Sequence, residues 1–262
     1  MKRYIRIYMQ LLRLNLATLL TYRVNFINNM IASIGWGAMS LYTVIILTTH
    51  VTEAYGWKRE ELLLLNGLYG VIVGVFHMFL SINMGRMSRI IHMGELDGIL
   101  IKPIDSQFAI SLWQVNFSSV FRILMALGYT VWIMHSMHLV VTVSSILFAV
   151  GLALISLVLL YSIWFLMLTN LIWFTNMSNL VVFLYSFESM ARFPKEMLTQ
   201  LASLVFFVVM PLTLVINTPV RVLLHTATFA DVMMLVALSV GLWWAARKYW
   251  VFALRHYTSA SS

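Results

Sequence analysis

The chain has 262 residues, 61% of them hydrophobic and 10% charged, with a mean hydropathy of +0.90. A soluble domain carries about 25% charged residues, so this is the composition of an integral membrane protein, whose length is counted in spans of about 20 residues. The absence of cysteine excludes disulfides, thiol catalysis and thiolate metal sites; the net charge of +8 is read as membrane topology, and no nucleic-acid partner is expected.

Residues 1–23 open the chain. Lys2, Arg6, Gln10 and Arg13 fall on one helical stripe, and Ile5, Met9, Leu12, Leu16 and Leu19 on another. The pattern predicts an amphipathic helix lying on the inner membrane surface. Arg13 and Asn15 interrupt the apolar stretch and no small-residue cleavage site follows, which disfavours a signal peptide.

A single transmembrane domain over 24–262 follows. Its first apolar run, 24–49, is uncharged and reaches about 39 Å as a helix. The second run, 62–85, contains His77, and the third, 107–134, contains Arg122. No formal charge occurs over 139–187, about 70 Å if it were one helix, so it must fold back on itself, with "TNMSN" at 175–179 as the turn. The run 201–216 reaches only about 24 Å and contains Pro211, whereas 231–249 is a full final span.

Charge decides the status of the short run. With both termini and the 86–106 loop on the inner side, and 201–216 not crossing, the inner segments hold a net +8 and the outer segments −1, with Arg122 between them. That bias fits the positive-inside rule, and a crossing at 201–216 would place the basic C-terminus outside. The expectation is therefore six spans, with an outer hairpin over about 193–225 that dips in, breaks at Pro211 and returns. Such backbone is tolerated only where it packs in protein or lines a cavity.

The segment "RMSRIIHMGELDGILIKPIDSQF" at 86–108 concentrates charge in an apolar chain. Residues 86–100 are expected to be helical, with Ile90, Ile91, Leu96 and Leu100 as apolar contacts, Gly94 and Gly98 permitting close approach, and Pro103 stopping the element. A short helix of this kind suits docking into a partner's groove, while the plainer reading is an interfacial anchor.

Arg122 stands near the middle of a span, so it needs a partner such as an asparagine or backbone carbonyl, a place on a polar pathway, or a position from which it snorkels. His77 reads first as a hydrogen-bonded interhelical histidine and second as a proton or substrate site. Asn25, Asn28 and Asn29 share a sector of the first span and read as interhelical polar contacts or pathway residues. Glu188, Arg192, Lys195 and Glu196 read as salt-linked pairs at the outer mouth or as a solvated rim. His135 and His138 at i, i+3 lack a third ligand, so no metal site is assigned. No catalytic constellation is evident.

"GELDGILIKPIDSQF", with the opening "YIRIYMQLLRLNLATLLTYRVNF" and the ending "FALRHYTSASS", closely resembles the ABC-2 type permeases of bacterial ABC transporters. The nearest branch is the one in which two related permeases accompany one ATPase. "FP" at Phe193 and Pro194 and "PLT" at 211–213 match its looser pattern. The resemblance implies an all-α membrane protein: an amphipathic elbow helix, six transmembrane helices, a coupling helix between spans two and three, and an outer re-entrant hairpin before span six. It implies a bacterial inner-membrane protein with cytoplasmic termini, a nucleotide-binding ATPase partner that holds ATP and Mg, and a second permease, sister or self. On this resemblance Gly94, Glu95, Leu96, Asp97, Ile99, Lys102 and Pro103 would meet the ATPase. Glu95 and Asp97 would make polar contacts, and Leu96 and Ile99 would fill its groove. Phe193, Pro194 and Pro211 would form the outer gate, and transport would run outward with a hydrophobic or amphipathic cargo. The sequence has no "GxxxxGK[ST]" phosphate loop, so the chain is not expected to hydrolyse ATP or to bind a cofactor itself. The alternatives from other classes are a membrane-embedded enzyme or scaffold acting without ATP, and a secondary carrier.

Overall fold

The computed structural model describes residues 2–50, 52–174, 179–198 and 203–257, with backbone alone at 198 and 203–208. Helix α1 (Lys2–Thr21) buries only Leu11 among its residues. Side chains tie it to the rest of the chain. The Arg3 guanidinium donates to the Pro103 carbonyl at 2.7 Å, the Asn15 amide donates to the Trp113 carbonyl at 3.1 Å, and the Tyr4 ring meets Phe108 edge-on at 4.9 Å. Helix α2 (Arg23–Leu47) has 25 residues, of which only Gly37 is buried. Its apolar surface is left almost wholly uncovered by the chain.

Strands β1 (Glu53–Ala54) and β2 (Trp57–Lys58) form a two-residue hairpin. Tyr55 and Gly56 take positive φ at its turn (54° and 79°), as a type I′ connection requires. The chain then enters one continuous rod of 34 residues, Arg59–His92. It consists of α3 (Arg59–Phe76), a π turn (His77–Ser81) and α4 (Ile82–His92), and is about 51 Å long, well beyond the expected 62–85.

Helices α5 (Asp97–Leu100) and α6 (Ser106–Ser111) follow, then α7 (Ser119–Ser136). The expected span at 107–134 is thus divided, because residues 112–118 leave the helical path. The rod holds this break in place. Buried Asn83 donates to the Gln114 carbonyl at 2.8 Å and accepts from the Gln114 amide at 2.8 Å, while the Met78 carbonyl in the π turn accepts from the Asn116 amide at 2.8 Å. Beyond the break α7 packs on α3 through glycines. A Cβ added at Gly67, Gly70 or Gly74 would lie 2.5 Å from Thr130 Oγ1, 2.8 Å from Ala126 Cβ or 2.7 Å from Ile123 Cγ1, so the two backbones approach as closely as small-residue membrane contacts allow.

The uncharged stretch divides as expected into α8 (Val143–Thr169), extended by a 3-10 turn (Asn170–Ile172), and α9 (Leu180–Glu188), extended by another (Ser189–Arg192). The predicted turn residues 175–178 lie outside the described residues. At 9 residues, about 14 Å, α9 is far shorter than a span. Helix α10 (Lys195–Leu198) precedes α11 (Ser203–Leu223) and α12 (Phe229–Arg255). Among the described residues four helical stretches are long and apolar enough to cross a membrane, namely Arg23–Leu47, Arg59–His92, Val143–Ile172 and Phe229–Arg255. Helix α7 adds 18 residues, about 27 Å.

Helix α11 departs from expectation, since it runs through Pro211 and Pro219 without breaking. Every residue over 212–220 is buried, Thr213, Asn217 and Thr218 included, so this part of the helix lies in the core. Asn217 binds the chain that precedes this helix: its amide donates to the Thr213 and Phe193 carbonyls at 2.9 and 3.2 Å, and its oxygen accepts from the Lys195 amide at 3.1 Å. These bonds fasten Phe193 and Lys195 to the side of α11. At the opposite end of the bundle Arg247 of α12 binds Asp105 at 2.6 Å and Gln107 at 3.1 Å, and Trp250 donates to Ser106 at 3.0 Å.

Replacing Asn83 by Leu should strand both the amide and the carbonyl of Gln114 in a buried site. The expected loss is about 2 kcal/mol or more, seen as a lower thermal midpoint in detergent, whereas the equivalent change at exposed Asn28 should leave the midpoint unmoved.

Candidate functional site

A cleft of about 840 Å³ lies between α2, α3, α7 and α9. The π turn shapes one wall. It carries His77 and Ser81, four residues apart, and both face α9, where Tyr185 and Glu188 are three apart. His77 Nε2 lies 2.8 Å from Glu188 Oε1, the Ser81 hydroxyl 2.7 Å from the Tyr185 hydroxyl, and the His77 and Tyr185 rings meet edge-on at 5.4 Å. Glu188 is only 2% exposed, and its second oxygen has no partner among the described residues. An acid read from sequence as part of an outer rim is instead an interior group, and the partner foreseen for His77 is this carboxylate.

Arg122 enters the cleft from α7. Its Nη2 reaches the Val73 carbonyl at a long 3.5 Å, and its buried Nε has no partner. A charge inside a membrane protein is costly unless paired or facing a polar cavity, and the cavity is what Arg122, in the first turn of α7, has. Gly37 of α2 makes the arrangement possible: an added Cβ there would sit 2.8 Å from Arg122 Cγ and 2.6 Å from Met125 Cε. Arg192 closes the far side, its guanidinium 5.0 Å over the Tyr69 ring and its Nε donating to the Ser189 carbonyl at 3.0 Å. Among the described residues neither arginine forms an ion pair; the cleft's one carboxylate is held by His77. Asn29 also lines the cleft, whereas Asn25 and Asn28 are exposed on α2 and do not.

Above the cleft, at the hairpin end, charges are paired. Arg221 binds Glu196 and lies 5.3 Å over the Trp57 ring, Trp57 donates to Glu196 at 2.9 Å, and Lys195 binds Asp231, which also caps α12 through Thr228. Pro194 is buried; Phe193 and Pro211 are half-buried. The extended backbone of Phe193 (φ −99°, ψ 149°) is the conformation that a following proline favours, and it ends the helical path there.

The 86–106 loop takes a different form from one helix over 86–100. Helix α4 ends at His92 with Gly94 at φ 69°; the Glu95 amide donates to the Ile90 carbonyl at 2.9 Å and the Gly94 amide to Ile91 at 3.2 Å. This is a Schellman close, which needs glycine at that position. Leu96 (0% exposed) and Ile99 (5%) point into the chain's own core, so they cannot fill a partner's groove as expected. The one-turn helix α5 spends this i, i+3 face on folding. The loop's uncovered apolar residues are Met93 (70% exposed), Leu100 (37%) and Ile101 (83%), with exposed Glu95 beside them. Lys102 lies 4.6 Å over the Trp113 ring, and the Pro103 carbonyl takes the Arg3 bond already described. Asp97 is half-buried; burial, with the Asp97 carboxylate close by, holds the Tyr257 phenol above its ordinary range.

His135 and His138 lie with ring centroids 6.4 Å apart, and no group of three potential metal ligands occurs among the described residues. Sequence reasoning missed Tyr69, Tyr185 and Arg192 as cleft residues. Their partners are distant in sequence, and the only local signal was the matched spacing of His77 and Ser81 against Tyr185 and Glu188.

His77→Ala should leave a buried carboxylate unpaired and cost about 3 kcal/mol or more. The double change with Glu188→Gln should recover much of that loss, read as thermal midpoints in a double-mutant cycle.

The sequence profile described as ABC-2 family transporter protein matches residues 34–261, which include the rod, the loop, Arg122, α9 and the prolines of α11. No curated protein and no solved structure matches the chain. With a match over most of its length and several membrane-crossing helices around a polar cleft, the chain belongs to the ABC-2 family of transporter proteins.

Proposed function

We propose that the chain is the membrane subunit of an ATP-driven exporter, powered by a separate nucleotide-binding ATPase that holds ATP and Mg. Family membership supports the class, and the absence of a phosphate loop from the sequence supports a separate energy source. The observation that carries the coupling reading is the exposed apolar set Met93, Leu100 and Ile101, presented on a loop that the chain ties down on both sides. An apolar surface held in shape is what a partner's groove requires. The docking face is therefore Met93, Glu95, Leu100, Ile101 and Lys102, with Gly94, Leu96, Asp97, Ile99 and Pro103 shaping it from behind.

In this reading α1 is the elbow helix and the loop end faces the cytoplasm, in keeping with its basic charge, in a bacterial inner membrane. Five of six crossings would be α2, the α3–α4 rod, α7, α8 and α12, and the stretch that contains α9 would supply the other. Residues 193–225 form a re-entrant outer element with Phe193, Pro194 and Pro211 at the exit. The uncovered surface of α2 is where a second permease, sister or self, would complete the pathway. Closure of the ATPase would push Met93 and Ile101, and the rod would carry that push to the cleft. A second reading, a secondary carrier, is favoured by one observation, the pairing of part-buried His77 with buried Glu188, which would serve as a proton-coupling site.

Mild-detergent purification of the tagged chain should bring down an ATPase. Met93→Asp and Ile101→Asp should reduce its recovery at least about tenfold by charging an apolar contact. Val140→Asp, at an 84% exposed position outside the loop, should not. A chain that comes down alone and moves its cargo on a proton gradient without ATP would replace the exporter reading with the carrier.

A further inference from the structure

The cleft contains more fixed positive charge than the chain neutralises. Arg122 offers a buried Nε with no partner and an Nη2 with one long contact to a carbonyl. Arg192 has a carbonyl and an aromatic face but no ion pair among the described residues. The one acid on the same wall, Glu188, is buried and bound to His77; it acts on Arg122 through space but forms an ion pair with neither arginine, so one carboxylate stands against two guanidinium groups. A cation would meet two guanidinium groups, and a neutral ligand would leave both without a counter-charge. An anion would answer both, since guanidinium groups fork onto phosphate and carboxylate oxygens.

The rest of the lining describes what is attached to that anion. Asn29, Ser33 and Ser40 provide amide and hydroxyl groups, while Trp36, Met39 and Leu41 of the same helix are apolar. Helix α2 is thin cover: Gly37 is its only buried residue, and Trp36 and Met39 are 75% and 64% exposed, so the apolar side of the cleft continues onto uncovered helix surface. A head lodged between Arg122 and Arg192 could keep a hydrocarbon tail along Trp36 and Met39.

We infer that this cleft binds an amphiphile with an anionic head, the phosphate or carboxylate held between Arg122 and Arg192 and the tail lying along α2. Calling that amphiphile a cargo rests on the transporter reading; the binding site does not.

The test uses the full chain, with whatever subunits accompany it, in an uncharged detergent. Dodecyl phosphate, dodecanoate and dodecyltrimethylammonium are titrated separately, with binding followed by native mass spectrometry. One or both anions should bind saturably and the cation at least about tenfold more weakly, as electrostatic complementarity predicts. The two anionic probes distinguish a phosphate head from a carboxylate. Arg122→Gln and Arg192→Gln should each weaken anion binding about tenfold, Arg122→Lys should weaken it less, and Glu188→Gln should not weaken it. Arg192, half-buried, and the charge-conserving Arg122→Lys keep the test decisive should Arg122→Gln fail to fold. Equal binding of cation and anion, or wild-type anion affinity in folded Arg192→Gln and Arg122→Lys, would overturn the assignment. An ATPase that co-purifies with a chain showing no anion preference would remove the site and leave the exporter reading. Anion binding by a chain with no ATPase partner would do the reverse.

Discussion

Backbone polar groups in a lipid-embedded chain have no water to fall back on, so any departure from helix has to be repaid by other parts of the chain. Asn83 meets that constraint. It sits inside the 34-residue rod and supplies both halves of a bond pair to Gln114, so that residues 112–118 can leave the helical path within the bundle. The π turn contributes the Met78 carbonyl to the same repair. The break lets α7 start afresh and present Gly67, Gly70 and Gly74 with close-packing partners on its own surface. Arg122, one turn into α7, owes its place in the cleft to this sequence of dependencies. Asn217 performs a related service for the backbone at Phe193 and Lys195.

The charges divide into two kinds. Ion pairs tie elements together at both ends of the bundle: Arg247 with Asp105 at one, Lys195 with Asp231 and Arg221 with Glu196 at the other. These pairs link elements far apart in sequence and are partly exposed, so they fix geometry more than they add stability. Between them, at the depth of the cleft, matching stops. Only Glu188 and His77 pair, and two arginines are left facing open volume. The cleft differs from the ends in holding two arginines that face one cavity with no ion pair among the described residues.

Much of the architecture was legible because lipid exposure writes a simple signal. The uncharged run at 24–49 became Arg23–Leu47, and 231–249 lies within Phe229–Arg255. The amphipathic stripe of the first residues became α1 with its single buried leucine. Where the reading failed, a second environment was superimposed on apolarity. Residues 201–216 looked like a broken fragment, yet α11 runs through both prolines and its 212–220 stretch is buried. Leu96 and Ile99 looked like docking residues because periodicity identifies a face without saying whether the chain itself covers it. Glu188 looked like a rim residue because its partner lies 111 positions away, where no local pattern reaches. Arg122 was legible as an anomaly, while its company of Tyr69, Tyr185 and Arg192 was not.

The π turn has a consequence of its own. It holds one residue more than an α ladder needs, and that surplus can be passed along a helix without being lost, much as a wrinkle travels along a carpet. Here the surplus is parked at His77–Ser81, between the loop that ends the rod and the hairpin that begins it. Shifting it by one position would turn every residue it passes by roughly 100° about the axis while leaving the rod's ends almost where they were. His77 would swing away from Glu188, whose carboxylate would then be free to meet Arg122. A rod with a single stored residue would in this sense be a clutch rather than a strut, able to change which side chains face the cleft without changing its length.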